Sequence, residues 1–170
     1  FKRIFRQEDR QTFYNTLAKV LEHEFNEEAI YFYFEAENHE AASHCFNQIK
    51  DSLLNRHRYD FLQSYLERFP EVYRAEHPYL QVDLANVLRH KGEFAQSSYW
   101  LEQARQSPFL DDPDVIGQIH LYQGAIACQQ GQIGEALRLA EQAQKFLSQN
   151  SIKHRAFQSN LIGVAHLIDG

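Results

Sequence analysis

Nine histidines, two cysteines and twenty-three acidic residues give this 170-residue chain the groups from which metal sites and acid–base centres are built. Their spacing decides whether they can act together. His39-Glu40-Ala41-Ala42-Ser43-His44 approaches the zinc-binding pattern HExxH, but its histidines are five residues apart, about 140° around a helix. They cannot share one metal from one face, and they read as solvated or packing side chains. Cys45 and Cys128 form no CxxC pair and no ladder of spacings, so neither a zinc site nor a disulfide framework is indicated. Cys45 reads as a small buried thiol on a helix face rather than a nucleophile. Asp111-Asp112-Pro113-Asp114 lacks the alternating ligands and distal glutamate of a calcium loop and reads as an acidic helix start. Gly131-Gln132-Ile133-Gly134 is a tight turn, not a phosphate cradle. No serine, histidine and aspartate can be grouped without inventing geometry. The expectation is a chain that binds, with no catalytic residue, no metal and no cofactor.

Composition narrows what it can bind. The formal charge is −6, with lysine and arginine scattered rather than clustered, which argues against direct contact with nucleic acid. Apolar runs such as Ala29 to Phe34 fall far short of the roughly 20 residues that cross a bilayer. Phe1-Lys2-Arg3-Ile4-Phe5 lacks the apolar core of a secretory leader. A cytoplasmic, reducing location is expected, with no membrane partner. Methionine is absent, from which an excised or processed fragment is expected.

The elements that must position any binding surface repeat. Leu84-Ala85-Asn86-Val87-Leu88-Arg89-His90-Lys91-Gly92-Glu93-Phe94, followed by Ser97, Leu101 and Ala104, aligns with Gln123-Gly124-Ala125-Ile126-Ala127-Cys128-Gln129-Gln130-Gly131-Gln132-Ile133, followed by Ala136, Ala140 and Ala143. A third copy begins at Ile162-Gly163-Val164-Ala165-His166 and reaches Gly170, so Gly92, Gly131 and Gly170 recur every 39 residues. Each copy predicts a helical hairpin: a helix ends at a glycine of positive φ, and small residues let the next helix approach. The small contacts are Ala85, Ser97 and Ala104 in one hairpin and Gly124, Ala136 and Ala143 in the next. Pro108 and Pro113 separate hairpins, where proline costs a helix least.

Residues 1–70 repeat less cleanly and are expected to form irregular hairpins. Helices are predicted near Arg10 to Phe25, Glu27 to Glu37, His39 to Arg56 and Tyr59 to Phe69. His57-Arg58-Tyr59 occupies the place of a glycine turn, and Pro70 ends a helix. Residues 71–170 are expected to carry the regular repeats, cut short at the C-terminus, in one continuous solenoid with no sheet. Tyr31-Phe32-Tyr33-Phe34 is apolar all round, which predicts burial for Phe32 and an interface for one of the others. Tyr99-Trp100 is expected to pack between hairpins.

The 39-residue interval resembles the tetratricopeptide repeat, stretched from about 34 residues. Further motifs resemble one family in order. Glu27-Glu28-Ala29-Ile30 with Phe34-Glu35-Ala36-Glu37-Asn38-His39-Glu40-Ala41-Ala42 is similar to a hairpin that follows the ATPase module of MalT-like regulators, the large LuxR-type, ATP-dependent transcription activators of bacteria. Leu53-Leu54-Asn55-Arg56-His57, Leu62 with Tyr65-Leu66-Glu67-Arg68-Phe69-Pro70, and His77-Pro78-Tyr79-Leu80 resemble later segments of that region. Gly131-Gln132-Ile133-Gly134-Glu135-Ala136-Leu137-Arg138-Leu139-Ala140-Glu141-Gln142-Ala143 resembles another. The chain departs from the pattern at His57, where the family has glycine, and at Tyr65, where it has tryptophan. The resemblance implies an all-α, right-handed superhelix of stacked antiparallel hairpins that senses an effector between an ATPase and a helix-turn-helix. No GxxxxGK[ST] loop is present in these 170 residues.

In such stacks the first helix of each hairpin lines a concave groove. Transferring that register places Tyr79, Asn86, Arg89 and His90 on the groove from one hairpin. Gln118, Leu121 and Gln129 join from the next, and Phe157 and Asn160 from the third. Amides, a guanidinium and aromatic plates suit a polar, neutral small-molecule effector such as a sugar. The expected partners are an effector, or a protein or peptide, with self-association possible. The rival expectation is a free-standing adaptor that holds a peptide, although Val82 and Leu121 sit where a carboxylate clamp would need polar groups. A helical enzyme is a third reading. Arg89→Ala and Asn86→Ala are expected to weaken binding and leave the melting temperature nearly unchanged.

Overall fold

The computed structural model describes residues 7–22, 24 and 26–169, and every regular element among them is an α-helix. The chain divides into two compact units, Phe1–Phe69 and Pro70–Gly170. The first holds α1 (Gln7–Leu21), α2 (Asn26–Glu35), α3 (His39–Asn55) and α4 (Tyr59–Arg68). The second holds α5 (Glu71–Glu76), α6 (Pro78–His90), α7 (Phe94–Gln106), α8 (Pro113–Gln129), α9 (Ile133–Phe146) and α10 (Ile152–Asp169). The short α5 has no counterpart in the sequence reading. No described helix is long and apolar enough to cross a membrane.

One turn joins helices in both units. After α6, the Gly92 N–H donates to the Arg89 carbonyl and the Glu93 N–H to that of Leu88; after α8, Gly131 and Gln132 repeat this with Cys128 and Ala127. This is the paired closure of a helix whose next residue is left-handed, and Gly92 (φ 80°) and Gly131 (φ 77°) are left-handed. Glu37 (φ 57°) and His57 (φ 56°) make the same closure after α2 and α3, through Phe34 and Tyr33 and through Leu54 and Leu53. The hairpin turn therefore persists in the first unit where glycine does not. In all four, the residue after the left-handed one becomes the N-cap of the following helix. Only Asn38 caps with its side chain, accepting from the Ala41 N–H at 3.1 Å. Gly170 lies outside the described residues.

Small residues hold the hairpins close. Ala85, Ser97, Ala104, Ala136 and Ala143 are fully buried. Ser97 Oγ donates to the Ala85 carbonyl at 2.7 Å, joining α7 to α6. A Cβ on Gly124 would come within 3.2 Å of the Ala136 carbonyl and of Leu139, so only glycine sits there without displacement. Around these contacts Val82, Leu101, Ile119, Leu121, Ile126 and Leu161 form the core of the second unit. As the acidic run suggested, α8 starts with Asp112 accepting from the Asp114 N–H at 2.8 Å and Pro113 at the first turn.

The first unit's core is aromatic, with one difference from expectation. Tyr33 and Phe34 are buried, while Phe32 is only half-buried and stacks on Tyr14 at 6.0 Å. Burial on α2 thus falls on Tyr33 and Phe34, the two residues after Phe32. Phe34 meets Phe69 edge-on at 4.8 Å. Tyr31 is exposed and lies 5.2 Å from the Arg68 guanidinium. In the second unit Trp100 packs against the core, but its neighbour Tyr99 is 56% exposed and does not.

Candidate functional site

Of the nine groove residues, the structure brings four into one cluster. Asn86, Arg89 and His90 lie at the C-terminal end of α6, with Asn86 and Arg89 three apart and therefore on one face. Arg89 Nη2 donates to Asn86 Oδ1 at 2.9 Å and to His90 Nε2 at 2.8 Å. Arginine has no acceptor, so His90 receives through Nε2 and its own proton resides on Nδ1. The guanidinium carbon then lies 5.3 Å from the ring centre of Phe157 on α10 and 5.7 Å from that of Tyr122 on α8. Arg89, on α6, thus reaches both α8 and α10.

Tyr122 is the member that the sequence reading missed. It had placed Leu121 in the groove, but Leu121 is fully buried in the core. Tyr122 is four residues after Gln118 and seven before Gln129, both assigned to the groove, and that helical spacing was the available signal. Its hydroxyl hydrogen-bonds His154 Nε2 at 3.2 Å, and its ring is 6.3 Å from Phe157. The other four residues stay outside the cluster. Tyr79 is half-buried with its ring edge-on to His77 at 5.8 Å. Gln118 is half-buried, while Gln129 and Asn160 are exposed.

Burial changes what the cluster can do. Asn86 and Arg89 are only 6% and 7% exposed, so they are parts of the wall rather than free arms. A guanidinium set against ring faces is worth about 2 kcal/mol or more where water is excluded. It fixes α6, α8 and α10 to one another while Phe157, half-buried, and His90, exposed, form the accessible part. Such a surface offers a flat apolar plate beside polar atoms already set in place, which suits the face and hydroxyls of a polar ligand.

The residues first considered for chemistry are placed differently. Burial, with Glu22 nearby, pushes the Cys45 thiol up to about 12, so at neutral pH it is a packing group. His39 lies beside the Phe34 and Phe69 rings, at 6.2 and 6.4 Å, and burial lowers its basicity. His44 is exposed and hydrogen-bonds Gln48 on its own helix. Burial raises the Asp114 carboxyl, but the Ser148 N–H and the Ser151 and Ser148 hydroxyls outweigh it and hold it below its ordinary value. Asp114 accepts from the Ser148 N–H at 2.6 Å and ties the start of α8 to the end of α9. Comparison with family models, curated proteins and solved structures finds no match to this chain.

Proposed function

We propose that this chain is the effector-sensing and protein-interaction segment of a bacterial, ATP-dependent, MalT-like transcription regulator, built as a tetratricopeptide-like right-handed superhelix. In this reading it works in the cytoplasm, carries no catalytic group and contacts no nucleic acid itself. The observation that carries the reading is Arg89, whose side chain joins the first helices of three successive repeats through Tyr122 and Phe157. A ligand seated on Phe157 and His90 would bind one spacing of α6, α8 and α10 better than another. It would shift the population of that spacing by its difference in affinity. Resemblance to the regulator's sensor region supplies the context; the cluster supplies the means.

A free-standing adaptor that holds a peptide is the second reading, favoured by exposed aromatics such as Tyr99 and Phe109. Thermal-shift measurements with neutral oligosaccharides and, separately, unstructured peptides distinguish the two. The sensor reading expects a rise with a sugar that Phe157→Ala abolishes. A rise with peptides alone, insensitive to Phe157, supports the adaptor instead.

A further inference from the structure

The other side of α8 carries a second arrangement of polar groups. His120 is two residues before Tyr122, about 200° away around the helix, so it faces away from the Arg89 cluster. There α7, α8 and α9 line an open groove of ≈ 470 Å³, within the range that holds small molecules. One wall carries Arg105 and Glu102 from α7, the other Arg138 and Glu135 from α9, and His120 and Gln123 line the part supplied by α8.

Both arginines are held in the same way. Arg105 donates from Nε and Nη2 to the two oxygens of Glu102, at 2.8 and 2.7 Å. Arg138 does so to Glu135. This side-on pairing uses Nε and Nη2 and does not engage Nη1, so each guanidinium keeps donors for a further acceptor. His120 stacks on Phe146 at 5.7 Å, and its Nδ1 is shut off from solvent without a hydrogen-bond partner. A buried lone pair is less costly there than a buried N–H, which puts the proton of the neutral ring on Nε2 as a donor. Burial lowers the basicity of His120, and Arg138 and Arg105 lower it further. Both guanidinium charges thus act on the ring.

We propose that this groove is a second ligand site, which takes a small carboxylate held between the guanidiniums of Arg105 and Arg138 and the Nε2–H of His120. The chemistry is shared by a plain dicarboxylate and by an amino-acid zwitterion, whose ammonium group Glu102 or Glu135 would face. A bound carboxylate adds a negative charge beside His120, so binding favours proton uptake there and strengthens as pH falls. Glu102 and Arg105 on α7 and Glu135 and Arg138 on α9 are the charged groups that line the groove with His120. The site is independent of the Arg89 cluster and stands or falls without it.

The test is an NMR titration of the His120 ring in the whole chain with succinate and, separately, glycine, each at constant ionic strength against sodium chloride. A saturable shift with a raised His120 pKa is expected, and Arg105→Gln and Arg138→Gln should each weaken it at least about tenfold. Both pairs are largely exposed, so these variants keep the fold, which circular dichroism checks. Response to both probes assigns the site to carboxylates in general, and response to glycine alone assigns it to zwitterions. A shift that chloride reproduces, that survives in both arginine variants, or that appears with neither probe overturns the proposal.

Discussion

Alanine at Gly131 isolates the conformational cost of the hairpin turn. Gly131 has φ 77°, and a Cβ built there meets nothing within 4 Å, so no steric contact contributes. Holding an L-residue in the left-handed region costs roughly 1–2 kcal/mol. Replacing glycine lowers the entropy of the unfolded chain and returns about 0.4–1 kcal/mol. The net expectation for Gly131→Ala is a loss of about 1 kcal/mol, or about 2–4 °C in melting temperature for a chain of this size. Gly131→Val should lose more, because a branched side chain tolerates positive φ least. Gly163 is the control, since it is exposed inside α10 and a Cβ there also meets nothing within 4 Å. Gly163→Ala should therefore gain up to about 1 kcal/mol from helix propensity alone. Urea unfolding followed by circular dichroism at matched protein concentration measures both. If Gly131→Ala were neutral or stabilising while Gly163→Ala behaved as stated, the turn would not carry the conformational constraint assigned to it.

Arg89→Ala should destabilise by about 2 kcal/mol or more, because it removes two ring contacts and the donor to buried Asn86. That outcome replaces the unchanged melting temperature expected for a groove residue, and a calorimetric scan decides it. Gly117→Ala would set a Cβ 2.8 Å from the Leu147 side chain and 3.1 Å from its backbone nitrogen, so a loss of about 1–3 kcal/mol is expected in urea unfolding. His39 and His120 have folded-state pKa values below 6.5, so the unfolded chain binds more protons as pH drops. Stability should be full above about pH 7 and decline below 6.5, and the double variant His39→Gln, His120→Gln should flatten that slope.

The regular hairpins were legible because their cause is local. A left-handed residue after a helix demands glycine or tolerates little else, and Gly92 and Gly131 advertise it. The same turn at Glu37 and His57 is disguised, since the surrounding helices impose it on residues that do not favour it. Exposed side-chain contacts accompany both: Glu37 accepts from Gln11 at 3.0 Å, and His57 Nδ1 lies 2.7 Å from the Tyr59 hydroxyl. The groove was legible by face but not by depth. Helical spacing placed Asn86, Arg89 and Phe157 on faces that do converge, yet spacing cannot say that Arg89 is buried against two rings. Choosing Leu121 over Tyr122 was a 100° error around α8, enough to exchange a core residue for a site residue. The groove at His120 was not read from the sequence because its two Glu-x-x-Arg pairs, 33 residues apart, fall outside the 39-residue register that defines the hairpins.

The most direct test of the binding account is NMR on the whole chain, following the Arg89 guanidinium and the Tyr122 and Phe157 rings while a neutral oligosaccharide that raises the melting temperature is added. The account predicts that resonances of all three move together and saturate with one affinity, which Phe157→Ala removes. Saturable binding that leaves all three unmoved would contradict it.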